Sequence, residues 1–506
     1  MGFGDTGIGP GYKVPRYIAK IITAAGSVGA GSEQLRVLCV NTKGAAGTLA
    51  ADSDPVRVSS EDEVDVLAVS GSPLARQAYA ALSIPGAQVW IAAVTEPAGG
   101  TAGTVTIVVG GAWSEGGTLR FRLAGVNVSC NVGGADTIDG AGAAIAAAFN
   151  AKTKLPATAA YNAATDTVTL TLRTKGAEGR DWILYHDPTS KPAGLTLTIT
   201  GSANVNTGGV RFGAAASGTG ASDSTTLLTK LQTQRFARIA VGHNDTTTAA
   251  LWETHVNTKA GPLRLLLEQL VFGHNGTLSQ AISLAQTTLN AVRASVVWLR
   301  NSENHPAELA SLFAAVRSVT EQTSPVPDYD GYVLSYLQAQ AFEADQPTDA
   351  EQDSALNAGV TPFTTVNGQV KCVRGITSYC LNGSAQDERC LDIGDIVMTD
   401  YATLDLKLMY ETEFRPQNPY VGPDPAPEVE PPAAGVAYPK LWNSKVTERL
   451  MTYYSNGWLE EAPVGIWAPQ TIFVKSGRYL ATETPLGVRR VLHRVDNVMR
   501  QISNSV

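Results

Sequence analysis

Hydrophobic residues follow two different patterns along the chain, and the pattern changes twice. Residues 35–97 contain short continuous apolar runs separated by segments with helical spacing, and the same arrangement returns after residue 211. Continuous runs are typical of strands that are buried on both faces of a parallel sheet, and helices connect such strands. We therefore expect one α/β core sheet flanked by helices, formed jointly by residues 35–97 and 211–389.

The elements of this sheet are predicted from the apolar runs and from helix-start signals. Ser72-Pro73, Asp245 and Pro306 each stand where a helix should begin, because they cap or fit its first turn. The predicted strands are 35–40, 87–94, 237–242, 263–272 and 294–299, and the predicted helices are 72–83, 223–233, 246–259, 277–290 and 306–319.

Residues 98–210 instead alternate apolar and polar residues with a period of two. Val105, Ile107 and Val109, for example, are separated by polar or small residues. The same alternation recurs at 118–123, 167–172 and 195–199. Alternation indicates strands with one buried face and one wet face. An alanine-rich helix at about 136–150 should cover the buried face, so we expect an inserted β-rich domain, 98–210, that interrupts the sheet.

Residues 348–373 carry three local structure signals. Thr348 and Glu351 form a capping box, which predicts a helix start. Gly359 suits the left-handed conformation that ends a helix, and Asn367-Gly368 suits a hairpin turn. The segment therefore predicts a helix, a turn and a hairpin, and local signals favour a role as scaffold.

A smaller α+β C-terminal domain is expected at 390–485. It contains a proline-rich segment, 415–435, that is typical of an extended solvated loop. A helix is predicted at about 439–456, with an aromatic side that should belong to the core. Lys445 and Arg449 lie one turn apart on another side of that helix, where charged pairs are usually solvated.

Both ends of the chain are predicted to be extended arms. Residues 1–34 are rich in Gly, Ala and Ser, and they could reach on the order of 100 Å at ~3.3 Å per residue. Residues 486–506 are predicted to form a C-terminal arm. Within it, 488–500 fits a basic helix by spacing and fits a strand followed by a short helix nearly as well.

The composition narrows the class of protein. A net charge of -8 and a pI of about 5.4 give no general attraction for nucleic acid or anionic membranes. The first residues lack the pattern of a secretory signal and no apolar run approaches a membrane span, so we expect synthesis in a cytosol and no membrane insertion. The spacing of the cysteines predicts buried free thiols at Cys39, Cys130, Cys372, Cys380 and Cys390.

No motif in the sequence provides a recognisable reaction centre. Gly2 to Gly7 match G-x-G-x-x-G without the strand and helix that a dinucleotide site needs, and no Gly-Lys dipeptide provides a Walker A loop. The histidines include no pair at metal-binding spacing on one predicted helix face. His274-Asn275-Gly276-Thr277, between a strand and a helix, leaves a serine hydrolase open, although no G-x-S-x-G elbow occurs. We predict no catalytic residue, no cofactor, no metal and no enzyme activity.

Several passages occur in a characteristic order. They are VPRYIAKIITAAGSVGAGSEQLRVLCVN, AGTLAADSDPVRVSSEDEVDVLAVSGSPLARQAYAAL, the inserted AGAAIAAAFN, LPATAAYNAATDTVTLTLRTKGAEGRDW and PAGLTLTIT, and the helix-glycine-hairpin passage that ends in VRGITSY. Over nearly the whole chain, this order resembles the contractile tail sheath proteins of Mu-like bacteriophages. The proline-rich loop and the last residues depart from the family pattern.

The resemblance implies a structural subunit that assembles with other copies of itself as stacked hexameric rings around a tail tube. Contraction of this helical stack would drive the tube through the host envelope during genome delivery. The implied partners are the tail tube protein and the baseplate and tail terminator proteins, with no direct nucleic acid contact. The subunit would be assembled in the host cytoplasm and located in the virion, in the phage tail sheath.

The resemblance also implies that terminal arms add strands to neighbouring subunits. The inserted domain should point outward. Lys445 and Arg449 are the predicted tube-facing residues. The predicted inter-subunit arm contacts are Val14, Tyr17, Ile18, Val491, Leu492 and Val495.

Two other functions stay open at this stage. A tail-tube or baseplate protein would form narrow tubes or closed single rings. An α/β hydrolase would react stoichiometrically with a serine-directed probe.

Overall fold

The structure, a computed structural model, describes residues 35–205, 208–213, 217–340, 342–426 and 434–490. The protein is a mixed α/β protein with several sheets. Its first part contains β1 (Arg36–Asn41), β2 (Val56–Val58), α1 (Glu61–Leu67), α2 (Pro73–Leu82) and β3 (Gln88–Ala93).

The predicted insertion consists of nine strands and one long helix. The strands are β4 (Ala102–Gly111), β5 (Gly117–Leu123), β6 (Val126–Val132), β7 (Ala157–Asn162), β8 (Thr167–Lys175), β9 (Ile183–His186), β10 (Leu195–Thr200), β11 (Ala203–Val205) and β12 (Gly209–Arg211). The helix α3 (Ile138–Asn150) lies between β6 and β7 in the sequence.

The chain then returns to alternating helices and strands. These are α4 (Thr225–Lys230), β13 (Arg238–Val241), α5 (Thr246–Lys259), β14 (Gln269–His274), α6 (Leu278–Ile282), β15 (Ala294–Trp298), α7 (Pro306–Thr323), α8 (Asp349–Asn357), β16 (Val360–Val366) and β17 (Gln369–Cys372).

One eight-stranded sheet joins the two separated parts of the chain. Its strand order is β17-β16-β15-β14-β13-β1-β3-β2. β1 and β13 pair in parallel from Val37↔Arg238 to Val40↔Val241, so the segments before and after the insertion are direct neighbours. Only the edge strands β2 and β17 pair antiparallel. This arrangement agrees with the predicted single sheet, whereas the predicted domain limits stay predictions.

Helices cover both faces of this sheet. Alternate residues of β1 point to opposite faces: Val37 packs in the core under α2 and α7, and Leu38 packs in the core under α5 and α6. Almost all side chains of both cores are fully buried. The continuous apolar runs in the sequence reflect this burial on two faces.

The insertion forms its own core between a four-stranded sheet, β10-β4-β8-β7, and a five-stranded sheet, β11-β12-β9-β5-β6. Val105, Ile107 and Val109 of β4 are buried in this core, whereas Val108 is exposed. Phe149 of α3 packs against Phe121 of β5 with ring centroids 5.4 Å apart. The period-two pattern therefore predicted the buried face of these strands correctly.

Polar contacts attach the insertion to the large sheet. Arg76 of α2 donates to the carbonyl oxygen of Ala124 at 2.6 Å, and it forms a buried ion pair with Glu308 of α7 at 2.9 Å. Arg122 of the insertion pairs with the buried Glu303 at 2.5 Å. These contacts hold the insertion at the end of the sheet where helices α2 and α7 begin.

The C-terminal part begins after β17. It contains β18 (Leu381–Asn382), β19 (Ala385–Gln386), α9 (Ile393–Met409), α10 (Arg415–Gln417), β20 (Tyr420–Val421), β21 (Val436–Ala437), α11 (Pro439–Ser455), β22 (Gln470–Val474) and β23 (Tyr479–Glu483). α9 and α11 pack together through a core that includes Trp442, Val446 and Leu450.

Two predicted elements differ from the structure. The predicted strand 263–272 begins only at Gln269, because Leu265 adopts a left-handed conformation (φ 52°) that interrupts an extended chain. The predicted helix 277–290 is α-helical only in α6, and Ser283–Leu289 forms a π-helical turn that ends at Asn290 in a left-handed conformation. Sequence periodicity cannot distinguish these local variations.

Candidate functional site

The predicted strand-exchange residues fall outside the part of the chain that the structure describes. They are Val14, Tyr17, Ile18, Val491, Leu492 and Val495. Their role stays a prediction. The structure does describe most of the C-terminal part that would accept such strands.

The hairpin formed by β22 and β23 is the clearest acceptor for an added strand. Its register runs from Gln470↔Glu483 to Val474↔Tyr479, and the sheet contains only these two strands within the described residues. Each strand therefore has an outer edge that pairs with no other described strand. Exposed strand edges of this kind are templates for pairing with another chain.

The hairpin lies on α11 and exposes apolar side chains. Thr471 donates a hydrogen bond to Asn443 of α11 at 2.5 Å, which fixes β22 on the helix. Ile472 and Tyr479 are 44% and 42% exposed, and Ile466, in the turn before β22, is 80% exposed. A solvated apolar surface next to an open strand edge favours contact with another polypeptide.

Sequence reasoning missed this hairpin. Gln470–Val474 and Tyr479–Glu483 are rich in residues that favour strands, and Lys475 to Arg478 supply a polar turn with Gly477. The signal was therefore present, but it is weaker than Asn367-Gly368, whose left-handed turn was predicted and is observed with φ values of 53° and 75°.

Helix α11 has the buried aromatic side that the sequence predicted. Trp442, Val446 and Leu450 are buried, and Trp442 packs against Phe414 with ring centroids 4.7 Å apart. Tyr454, near the end of the helix, is exposed. The aromatic side of α11 is thus mainly core.

Lys445 and Arg449 both pair with carboxylates of their own chain. Lys445 bonds Glu448 at 2.9 Å, and both side chains are solvent-exposed. Arg449 pairs with Glu413, and its Nε lies 4.0 Å from Asp405. The structure places both cations at the surface of α11, and their contact with a tube stays a prediction.

The His274–Thr277 segment, which left a hydrolase open, is used in structural contacts. His274 Nδ1 accepts from the Gly276 N–H at 3.0 Å, and burial lowers the pKa of His274. Asn275 donates to the Asp181 carbonyl oxygen at 2.8 Å and accepts from Arg211 at 3.1 Å. The segment therefore joins the insertion to the large sheet.

A buried polar cluster lies where α/β sheets commonly bind ligands. The chain leaves β1 and β13 in opposite directions, so their carboxyl ends flank a topological switch point. His243, which follows β13, has its Nε2 3.5 Å from Oε1 of Glu178, a residue of the insertion. Both side chains are buried and neither atom has a hydrogen-bond partner among the described groups. The unbonded atoms are suited to binding internal water.

No metal centre or reactive thiol emerges from the described residues. Among them, no group of three or more His, Cys, Asp or Glu side chains could hold a metal ion. Cys39, Cys130, Cys372 and Cys380 are buried free thiols, as predicted, whereas Cys390 is a free thiol that is only half-buried. Burial raises the pKa of Cys390 to about 11, so this thiol is mostly protonated at neutral pH.

None of the described helices is both long enough and apolar enough to cross a bilayer.

Comparison with known proteins gave structural similarities only. No protein-family model and no curated protein sequence matches the chain. The sheath tail protein of Desulfitobacterium hafniense is 11% identical, with a TM-score of 0.46 over 91% of this chain and 93% of that one. The sheath tail protein of Listeria innocua is 11% identical, with a TM-score of 0.47 over the same shares. The contracted helical sheath of the anti-feeding prophage is 11% identical, with a TM-score of 0.46 over 98% of this chain and 100% of that one.

Proposed function

We propose that the protein is the structural subunit of a bacteriophage contractile tail sheath. The observation that carries this proposal is the two-stranded sheet of β22 and β23, with its unpaired outer edges and its exposed Ile472 and Tyr479. The sequence resemblance supplies the family, and the Mu-like assignment rests on that resemblance.

An isolated two-stranded hairpin is marginal in water, and three or more strands with a common apolar face are normally needed for stability. β22 and β23 are supported on one side by α11 but have no third strand among the described residues. Strands from two neighbouring subunits would complete the sheet at its two edges. Strand addition supplies affinity through main-chain hydrogen bonds and specificity through alternate side chains.

The remaining parts fit a subunit that moves as a body. The large α/β sheet and the insertion are each well packed, and buried ion pairs such as Arg76–Glu308 hold elements together. We propose that rings of six subunits stack around the tail tube, linked by exchanged arms. Contraction would be a rearrangement of these bodies toward packing of lower free energy, without nucleotide hydrolysis.

The finer arrangement is also part of the proposal. Residues 35–97 and 211–389 would form the sheath domain, 98–210 an outward-facing insertion, and 390–485 the assembly domain. Residues 1–34 and 486–506 would be the arms; residues 486–490 anchor the second arm on its own subunit, and the residues beyond them would be exchanged. The tail tube, baseplate and terminator proteins would be partners of the assembled sheath, which is built in the host cytoplasm and kept in the virion.

Negative-stain electron microscopy of the purified full chain tests this function. A sheath subunit should form wide hollow cylinders built from stacked rings. Narrow tubes or closed single rings would instead indicate a tail-tube or baseplate protein, and labelling by a serine-directed probe would indicate a hydrolase.

Deletion of residues 1–20 tests the exchange of arms separately. The shortened chain should keep its circular dichroism spectrum and thermal transition, because the described elements start at Arg36. It should fail to form cylinders. Normal cylinders from the deletion variant would refute the role of Val14, Tyr17 and Ile18.

A further inference from the structure

An acidic pocket lies at the point where the chain enters its last residues. The pocket is lined by residues 326–330, Gly375, the first turn of α9 and Arg489-Arg490. Backbone pairing holds the chain beside it: Glu460 N–H donates to the Gly487 carbonyl oxygen at 2.9 Å, and Arg489 N–H donates to the Trp458 carbonyl oxygen at 3.0 Å. Arg490 is the first residue after this pairing.

Asp395, in the first turn of α9, is a poorly compensated carboxylate in this pocket. Asp395 is 9% exposed, and its Oδ2 has no hydrogen-bond partner among the described groups. Among the described residues, the nearest cation is Arg490, whose Nη2 lies 3.5 Å from that oxygen. The same nitrogen donates to the Glu388 carbonyl oxygen at 3.3 Å. Arg490 therefore bridges α9 and the segment before it.

The other charges around Asp395 cannot replace Arg490. Arg374 is engaged by Asp392 through bonds of 2.8 to 3.0 Å. Arg489 donates to the Leu459 carbonyl oxygen at 3.3 Å. Among the described residues, the charged and titratable groups that surround Asp395 or line the pocket are Asp328, Tyr329, Asp330, Arg374, Cys390, Asp392, Arg489 and Arg490.

We propose that Asp395 and Arg490 form a protonation-controlled latch at the root of the C-terminal segment. The ionised Asp395 holds Arg490 in the pocket, and the neutral Asp395 releases it. The latch goes beyond the proposed function and does not depend on it, because both residues belong to one chain and are described without any partner.

The titration range of Asp395 makes the latch effective near neutral pH. Burial raises the pKa of this carboxyl to about 7, against the opposing effect of Arg490. An ordinary aspartate titrates near ~3.9. Burial of the ionised carboxyl lowers the free energy of unfolding. This penalty is thus absent below about pH 4, and it is fully developed above about pH 7. The attraction to Arg490 appears as Asp395 ionises, so the latch closes as pH rises through about 7.

Hydrogen exchange of the unassembled full chain, read by mass spectrometry, tests the latch. After correction for intrinsic exchange rates, peptides covering 486–490 should be about twofold to fivefold more protected at about pH 8 than at about pH 6. Asp395→Asn should remove this pH dependence and leave the lower protection at both pH values. Arg490→Gln removes the other member of the pair. It should likewise abolish the pH dependence and leave the lower protection at both pH values.

Asp328→Asn is the matched control, because Asp328 is an exposed carboxylate of the same pocket. Its Oδ1 accepts from the Asp330 N–H at 2.9 Å, a bond that asparagine can keep. This variant should retain the full pH dependence. The latch is overturned if the wild-type protection does not change with pH, or if Asp395→Asn keeps the change while peptides of β1 and β13 show an intact fold.

Discussion

Arg293 and Asp400 form a buried ion pair with two hydrogen bonds of 2.7 and 2.9 Å. Arg293 stands directly before β15 in the large sheet, and Asp400 lies in the middle of α9. Gln269 of β14 donates to the same carboxylate at 3.2 Å. The pair therefore fixes the C-terminal part of the protein on the amino ends of the sheet strands.

Asp400→Asn should reduce the free energy of unfolding by about 3 kcal/mol or more. Removal of one partner leaves the Arg293 guanidinium buried without a counter-charge, which is the costly way to break such a pair. Urea unfolding followed by tryptophan fluorescence measures the loss.

Glu448→Gln is the control for this experiment, since Glu448 pairs with Lys445 in an exposed ion pair on α11. It should leave the unfolding midpoint unchanged. The double variant Arg293→Gln/Asp400→Asn should be less destabilised than the sum of its single variants. Equal midpoints for Asp400→Asn and Glu448→Gln would contradict the coupling.

Gly359→Ala should destabilise the protein by about 2 kcal/mol or more. Gly359 has a φ of 75°, and a Cβ there would lie 2.6 Å from the Ser378 carbonyl oxygen. Gly368 has the same φ of 75° in the Asn367-Gly368 turn, but a Cβ added to it would have no neighbouring atom within 4 Å. Gly368→Asn should therefore cost less than about 1 kcal/mol, because asparagine tolerates the left-handed conformation. Similar thermal shifts for the two variants would contradict the role of the close contact.

Gly359 and the Arg293–Asp400 pair show which features the sequence could predict and which it could not. Thr348 and Glu351 form the predicted capping box, and Gly359 closes the helix as expected, since these signals act within a few residues. The Arg293–Asp400 pair joins residues 107 positions apart, and His243 meets Glu178 of the insertion. No local pattern specifies such contacts, because they depend on how separate elements pack.

Ile472→Asp should block assembly and leave the subunit folded. Ile472 is 44% exposed on β22, next to the open edge, so a carboxylate there should be tolerated in the free chain. In an assembly it would be buried against an added strand, and a buried unpaired charge is strongly unfavourable. Sedimentation and electron microscopy should show monomers where the wild type forms cylinders.

Val366→Asp provides the matched control for this variant. Val366 is 41% exposed on β16, in the hairpin at the edge of the large sheet. The Val366→Asp variant should assemble as the wild type does. Loss of cylinders with both variants, or with neither, would remove the assignment of β22 and β23 as the acceptor.

Reversal of Lys445 and Arg449 to glutamate should prevent the sheath from growing on isolated tail tubes. This expectation assumes an acidic tube surface that faces α11. Arg449 already pairs with Glu413 and approaches Asp405, so its reversal alone also places like charges together inside the subunit. Adding Glu413→Arg restores an ion pair within the subunit and keeps the reversed charge at position 449.

The control is Lys440→Glu, an exposed cation at the start of the same helix. It changes the net charge in the same direction but lies more than one turn from Lys445. Growth on tubes, counted by electron microscopy, should stop for Lys445→Glu/Arg449→Glu/Glu413→Arg and continue for Lys440→Glu. If the triple variant covers tubes as well as the wild type does, α11 does not face the tube. If both variants fail, growth depends on the charge of α11 and of the whole chain rather than on Lys445 and Arg449 in particular, because Lys440 lies on the same helix and both variants lower the net charge equally.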